Sequence, residues 1–198
     1  KKIKQNTLIL SELDNKFTYL DRDKKLVLIT GHRRESFGGG FERICEAIMK
    51  LAQKHPNVQF LYPVHLNPNV QEPVRRILSG LKNVWLIHPQ SYISFVYLMS
   101  RSHIILTDSG GIQEEAPSLG KPVLVLRDNT ERPEAVAAGT VALVGTNVEK
   151  IISCVDELLL SDVKYQKMSR AQNPYGDGMA SERIVKYFYD LIQSTERS

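Results

Sequence analysis

Short apolar runs and helix-patterned stretches take turns along most of this chain, and that alternation limits its fold more than any other feature. Leu26-Val27-Leu28-Ile29-Thr30 has charge before it and Gly31 after it. A run so apolar, without alternating polarity, fits a strand covered on both faces. Phe41, Ile44, Cys45, Ile48, Leu51 and Ala52 then recur at helical spacing. The pattern repeats with a strand over 58–62, between Asn57 and Pro63, and a helix through Val70, Val74, Ile77, Leu78 and Leu81 that stops near Gly80. Next come a strand over 84–87, a helix holding Phe95, Leu98 and Met99, a strand over 103–107 and a helix from about Gly111 to Leu119. A strand over 122–126, a short helix near Pro133 and a strand over 140–144 follow, and helices over 148–160, 162–170 and 181–193 complete the chain. This order predicts an α/β fold, a right-handed, doubly wound parallel sheet of Rossmann-like kind. Residues 1–25 lack comparable periodicity and are expected to be a linker or the end of a preceding domain, with one domain over 26–198.

Composition narrows the function classes. The chain has 198 residues, a length that suits one domain, and 42% hydrophobic with 24% charged residues is ordinary for a globular chain. Twenty-six Lys and Arg against 22 Asp and Glu leave +4, too mild a surplus to announce a nucleic-acid or membrane partner. Cys45 and Cys154 lie far apart without CxxC spacing, so neither a disulfide scaffold nor a metal site is suggested. Cys45, on an apolar helical stripe, reads as a small buried hydrophobe. No apolar run approaches the roughly 20 residues that span a bilayer. Lys1 to Gln5 are too polar for a signal peptide, and the chain starts on Lys rather than Met, as a fragment would. A reduced, cytoplasmic protein without metal is expected. The spacings HExxH, GxSxG, Walker A and EF-hand do not occur, so metal-dependent, serine and ATP hydrolysis lose support.

In open sheets of this kind ligands bind beyond the carboxyl ends of the strands, so function belongs in the loops after residues 30, 62, 87, 107 and 126. Thr107-Asp108-Ser109-Gly110-Gly111-Ile112-Gln113-Glu114-Glu115 passes from strand through two glycines into a helix. A helix start carries unpaired N–H groups and partial positive charge, which suits a phosphate, and Glu115 stands about one turn on, where a carboxylate meets ribose hydroxyls. Equally, Asp108 or Ser109 would simply cap the helix, with the two Glu complementing its dipole. Gly31-His32-Arg33-Arg34-Glu35-Ser36-Phe37-Gly38-Gly39-Gly40 follows the first strand. Its guanidiniums suit bidentate phosphate contact and His32 suits protonation of a departing phosphate; the bland alternative pairs Arg33 and Arg34 with Glu35. The loop's place at a strand end favours the former. His65 reads as a packed loop histidine, and Arg132, beside Pro133 at a helix start, as an anion contact or a surface ion pair. Gln90 and Phe95 carry no signal alone, a phenylalanine on a helix usually being core.

Taken together, six motifs resemble the non-hydrolysing UDP-N-acetylglucosamine 2-epimerases of bacteria. They are Thr30-Gly31-His32-Arg33-Arg34-Glu35, the run from Tyr62-Pro63-Val64-His65 to Val70, the run from Thr107-Asp108-Ser109-Gly110-Gly111 to Pro117, Gly120-Lys121-Pro122 to Arg127, Thr130-Glu131-Arg132-Pro133-Glu134, and Asn173-Pro174-Tyr175-Gly176-Asp177-Gly178. The match runs in order from about Leu26 to the final helix. The resemblance implies one half, the carboxyl-terminal and nucleotide-binding one, of a two-domain glycosyltransferase-B type fold. It implies interconversion of UDP-GlcNAc and UDP-ManNAc by elimination of UDP and its re-addition, for cell-surface polysaccharide biosynthesis and without a cofactor. His32 then contacts UDP as a proton donor, Gln90 and Phe95 hold uracil, Ser109, Gly110 and Gly111 form the pyrophosphate turn, Glu115 holds ribose, and Arg132 makes another substrate contact. Arg33 and His65 match a second, regulatory UDP-GlcNAc site. The family's acid/base carboxylates lie on an amino-terminal domain outside this chain, so the chain is expected to bind UDP or UDP-GlcNAc weakly and not to epimerise it, the complete protein being a homodimer. A glycosyltransferase of the same fold and a non-catalytic nucleotide-sugar sensor are the alternatives. The joint presence of GHRRE, SGGIQEE and NPYGDG resembles epimerases and not transferases in general.

Overall fold

The computed structural model describes residues 7–176 and 178–195; Lys1 to Gln5 and Asp177 of the Asn173–Gly178 motif lie outside them. In chain order the elements are α1 (Thr7–Lys16), β1 (Leu26–Thr30), α2 (Gly39–Lys54), β2 (Gln59–Pro63), α3 (Pro68–Leu78), β3 (Val84–Ile87), α4 (Tyr92–Arg101), β4 (Ile104–Thr107), α5 (Gly110–Glu115), β5 (Val123–Val125), α6 (Pro133–Ala137), β6 (Val141–Leu143), α7 (Val148–Leu160), α8 (Asp162–Ser169) and α9 (Ala180–Thr195). Short 3₁₀ turns lie at Arg34–Ser36 and Ala116–Leu119. The strands form one six-stranded sheet in the order β3-β2-β1-β4-β5-β6, every neighbouring pair parallel. This is the expected doubly wound sheet, and each expected strand is present within a residue or so of its expected ends.

Strand side chains alternate between two hydrophobic layers because successive Cβ atoms leave opposite faces of a sheet. Val27, Ile29, Phe60, Tyr62, Ile104 and Leu106 point into one layer, closed by residues of α2, α3 and α7. Leu26, Leu28, Leu61, Ile105, Val123 and Val125 point into the other, closed by α1, α4 and the turn after α5. Cys45 is fully buried in the first layer, as read from its stripe. Tyr62 is buried with its hydroxyl donating to the Gly31 carbonyl at 3.0 Å, which satisfies a group that would otherwise be costly to desolvate and ties the end of β1 to β2.

Residues 7–25 belong to the stretch expected to be a linker or the end of a preceding domain. Helix α1 is present, and Leu13, Phe17 and Leu20 are buried in the second layer beside Tyr97. Phe17 stacks on Tyr97 with centroids 5.8 Å apart. Leu13 is the buried residue of α1 itself, and Phe17 and Leu20 follow just past its end; the burial of each is worth roughly 2 kcal/mol. Helix α9 is the converse case: Ile184, Val185, Tyr187, Phe188 and Ile192 are all exposed. Among the described residues, no helix is long and apolar enough to cross a membrane, and no group of three or more metal-ligating side chains occurs.

Candidate functional site

β1 and β4 end side by side, Thr30 in register with Thr107, where the strand order reverses. Loops leaving two such neighbours in opposite directions open a crevice, the usual ligand position in this architecture. Asp108, the first residue past β4, is only 2% exposed. Its Oδ2 accepts the His32 N–H at 2.6 Å and the Arg33 N–H at 2.7 Å. Two charge-assisted bonds from consecutive amides clamp the loop after β1 against the end of β4.

Asp108 therefore does not cap α5. Ser109 sits at the cap position, but its side chain makes no cap bond, and its own N–H donates to Thr107 Oγ1 at 3.0 Å. The first-turn amides of α5 lack a side-chain cap, which leaves an anion-seeking helix start. Neither Gly110 nor Gly111 has a positive φ, and a Cβ on either would meet no atom nearer than 4.0 Å. These glycines serve access to the backbone, not backbone conformation.

Arg132 reaches the same turn. Its Nη2 stands 4.0 Å from where a Cβ on Gly110 would be, its Nε pairs with Glu114, and its Nη1 donates to the Glu131 carbonyl at 2.9 Å. Gln113 locks this loop to the turn: its Nε2 donates to the Ser109 carbonyl at 3.3 Å, and its Oε1 accepts from Thr130 Oγ1 at 2.6 Å. Thr130 Oγ1 in turn accepts the Arg132 N–H at 3.0 Å. Arg132 thus makes both the ion pair and the approach to the helix start that its sequence context left open.

On the other side of the crevice, the exposed His32 ring stacks on His65, with centroids 4.9 Å apart and planes 13° from parallel. His65 Nδ1 accepts the Asn67 N–H at 3.1 Å, so the neutral ring carries its proton on Nε2. His32 Nδ1 lies 3.8 Å from Asp108 Oδ1. Glu35 does not pair with its neighbours Arg33 and Arg34. It takes Arg127 instead, at 2.6 Å and 3.4 Å, tying the loop after β1 to the end of β5. That hydrogen bond raises the Arg127 pKa further above its ordinary value.

Glu115 accepts the Tyr92 hydroxyl at 2.8 Å, which joins the first turn of α4 to the end of α5 and pushes the Tyr92 pKa up. Gln90, in the loop before α4, donates from Nε2 to the His88 carbonyl at 2.6 Å, and its buried Oε1 has no partner. Phe95 is half-buried and packs on the second layer, so the bland core reading holds for part of its surface. Sequence reasoning passed over Tyr92, Gln113, Thr130 and Arg127. An aromatic opening the helix after β3 was the available signal for Tyr92; the other three depend on contacts 17 to 92 positions apart.

Residues 2–189 match the family model described as UDP-N-acetylglucosamine 2-epimerase. The UDP-N-acetylglucosamine 2-epimerase of Yersinia pestis is 64% identical over 176 residues, which is 89% of this chain and 47% of that protein. The protein of the same name from Escherichia coli K12 is 62% identical over the same shares. The crystal structure of UDP-GlcNAc 2-epimerase from Neisseria meningitidis bound to UDP-GlcNAc superposes with a TM-score of 0.89 at 53% identity, covering 96% of this chain and 51% of that one. The glycosyltransferase WaaG, at 18% identity and a TM-score of 0.64, shares the fold alone. The chain spans about half the length of the curated relatives it matches. It belongs to the UDP-N-acetylglucosamine 2-epimerase family.

Proposed function

We propose that this chain is the UDP-binding half of an epimerase that interconverts UDP-GlcNAc and UDP-ManNAc. One observation carries the reading: at the β1/β4 crevice the diglycine start of α5 is uncapped and has the Arg132 guanidinium beside it, while Asp108 ties the His32 loop to the end of β4. The diphosphate lies against the Gly110 and Gly111 amides and Arg132, where helix start and guanidinium both favour negative charge. Glu115 accepts from the ribose hydroxyls in place of Tyr92, and Gln90 and Phe95 border the uracil. In the forward step the bond from the sugar C1 to the diphosphate oxygen breaks, the C2 proton leaves to a base, and UDP departs from a glycal. Re-addition of UDP with protonation of the opposite C2 face gives the epimer. His32 supplies a proton to the departing β-phosphate and takes it back on return.

The C2 proton needs a base on each face or one serving both, and these belong to the amino-terminal domain of the complete protein, acting in the cytoplasm as a homodimer. The free cysteines suit that compartment. The exposed apolar residues of α9 suit a covering domain. Arg33 and His65 are the second-site candidates; the stack of His65 on His32 supports communication between the two sites. Calorimetric titration of this chain with UDP tests the reading, CDP and UMP serving as controls. UDP should bind, R132A should weaken it about tenfold, and UDP-GlcNAc incubated with the chain in D₂O should acquire no deuterium at C2. Absence of UDP binding, or turnover by the chain alone, would overturn it.

A further inference from the structure

Asp108 Oδ1 is buried and makes no hydrogen bond. A buried carboxylate oxygen left unpaired is costly, and such atoms in a folded chain call for an explanation. Its twin Oδ2 is committed to the His32 and Arg33 amides. The neighbouring Tyr62 hydroxyl is committed to the Gly31 carbonyl. Among the described residues, the ion-pair partner of Asp108 is His32, Nδ1 to Oδ1 at 3.8 Å. That distance is too long for a hydrogen bond, and closing it to about 2.8 Å takes about 1 Å of ring movement. The amide clamp fixes the backbone of His32, and His65 stacked at 4.9 Å limits how far the ring can swing.

We propose that Asp108 is a positioning residue for His32: its free oxygen accepts the Nδ1 proton, holds the imidazole as the Nδ1–H tautomer and leaves Nε2 as the nitrogen that exchanges protons. This rests on the reading above, in which His32 serves the departing diphosphate. The imidazolium gives its Nε2 proton to a β-phosphate oxygen and becomes the neutral Nδ1–H ring. On re-addition the same proton returns to Nε2. Asp108 exchanges no proton in this cycle; its fixed oxygen sets which nitrogen of His32 reacts. His65 carries the opposite tautomer, so the two stacked rings divide the roles.

The test is long-range ¹H–¹⁵N correlation spectroscopy on the imidazole-labelled chain at a pH where His32 is neutral, with and without saturating UDP. H32Q assigns the signal by its loss. In the wild type Nδ1–H should be the majority form, against the Nε2–H form of His65. In D108N the side-chain oxygen still accepts the two amides, but its NH₂ now faces the ring and donates to Nδ1. The ratio of Nδ1–H to Nε2–H should fall about tenfold or more. A wild-type ring that is mainly Nε2–H both free and with UDP overturns the proposal, as does an unchanged ratio in folded D108N. The wild-type measurement needs no variant to fold. A correct tautomer without UDP binding would sink the proposed function and spare this inference; UDP binding with the wrong tautomer would do the reverse.

Discussion

His103 sits in surroundings quite unlike those of His32. It stacks on Tyr165 at 4.0 Å, and burial, with Lys25 repelling its charged form, pushes its pKa from 6.5 down to about 4. The folded state therefore disfavours the proton that the unfolded chain takes up. The contribution of His103 to stability is full above the unfolded value and is lost as pH falls from about 6.5 toward 4. With partial exposure discounted, urea unfolding should show about 2 kcal/mol of this loss between pH 7 and pH 4, and H103F should flatten that part of the curve. Asp156 acts lower on the scale: burial pushes its carboxyl up, but hydrogen bonds from Lys54 and His55 outweigh this and hold it below 3.8. Its contribution is present above that value and is lost only in stronger acid. At the crevice, E115Q keeps size and shape but weakens the acceptor. Calorimetry should show UDP binding about tenfold weaker, while the urea midpoint moves little because the site is exposed.

Among the elements, α5 and the turn after it separate two uses of glycine. Gly111 is an exposed helical residue with open space around it. G111A should leave stability unchanged or raise it by up to about 1 kcal/mol, while the added methyl keeps a diphosphate off the amides and costs at least about tenfold in UDP affinity. Gly120 has φ +67°, and a Cβ there would stand 3.3 Å from the Ser169 carbonyl at the end of α8. G120A should cost about 1–2 kcal/mol and leave UDP affinity alone, a contrast that thermal unfolding with paired titrations would read. The segment pattern that reveals α2, α4 and α7 is an apolar stripe about a turn wide, which sequence carries directly. In α1 a single residue, Leu13, is buried, so the helix carries no such stripe of its own.

On the scale of the molecule, a sheet covered on both faces ends at α9, whose exposed Ile184, Val185, Tyr187, Phe188 and Ile192 exceed what a finished surface carries. Light scattering on the isolated chain should show association that grows with concentration. I184K combined with F188K should suppress it with unfolding free energy unchanged to within about 0.5 kcal/mol, since neither residue is in the core. A monomer at all concentrations would mean that this exposed face does not self-associate.

The doubly wound sheet, its strands and the strand-end position of the site residues were legible in the sequence, because apolar periodicity and glycine placement are local and each element carries its own. The positions of His32, the diglycine turn and Glu115 in the fold follow the same way, as fixed offsets from strand ends. The tertiary structure decided what those residues touch. That Asp108 clamps the loop after β1 instead of capping α5, that Glu35 takes Arg127 92 positions away, and that His32 and His65 stack face to face all follow from which strands end side by side. Sheet order is set by packing across the whole chain, so no local window of sequence holds it.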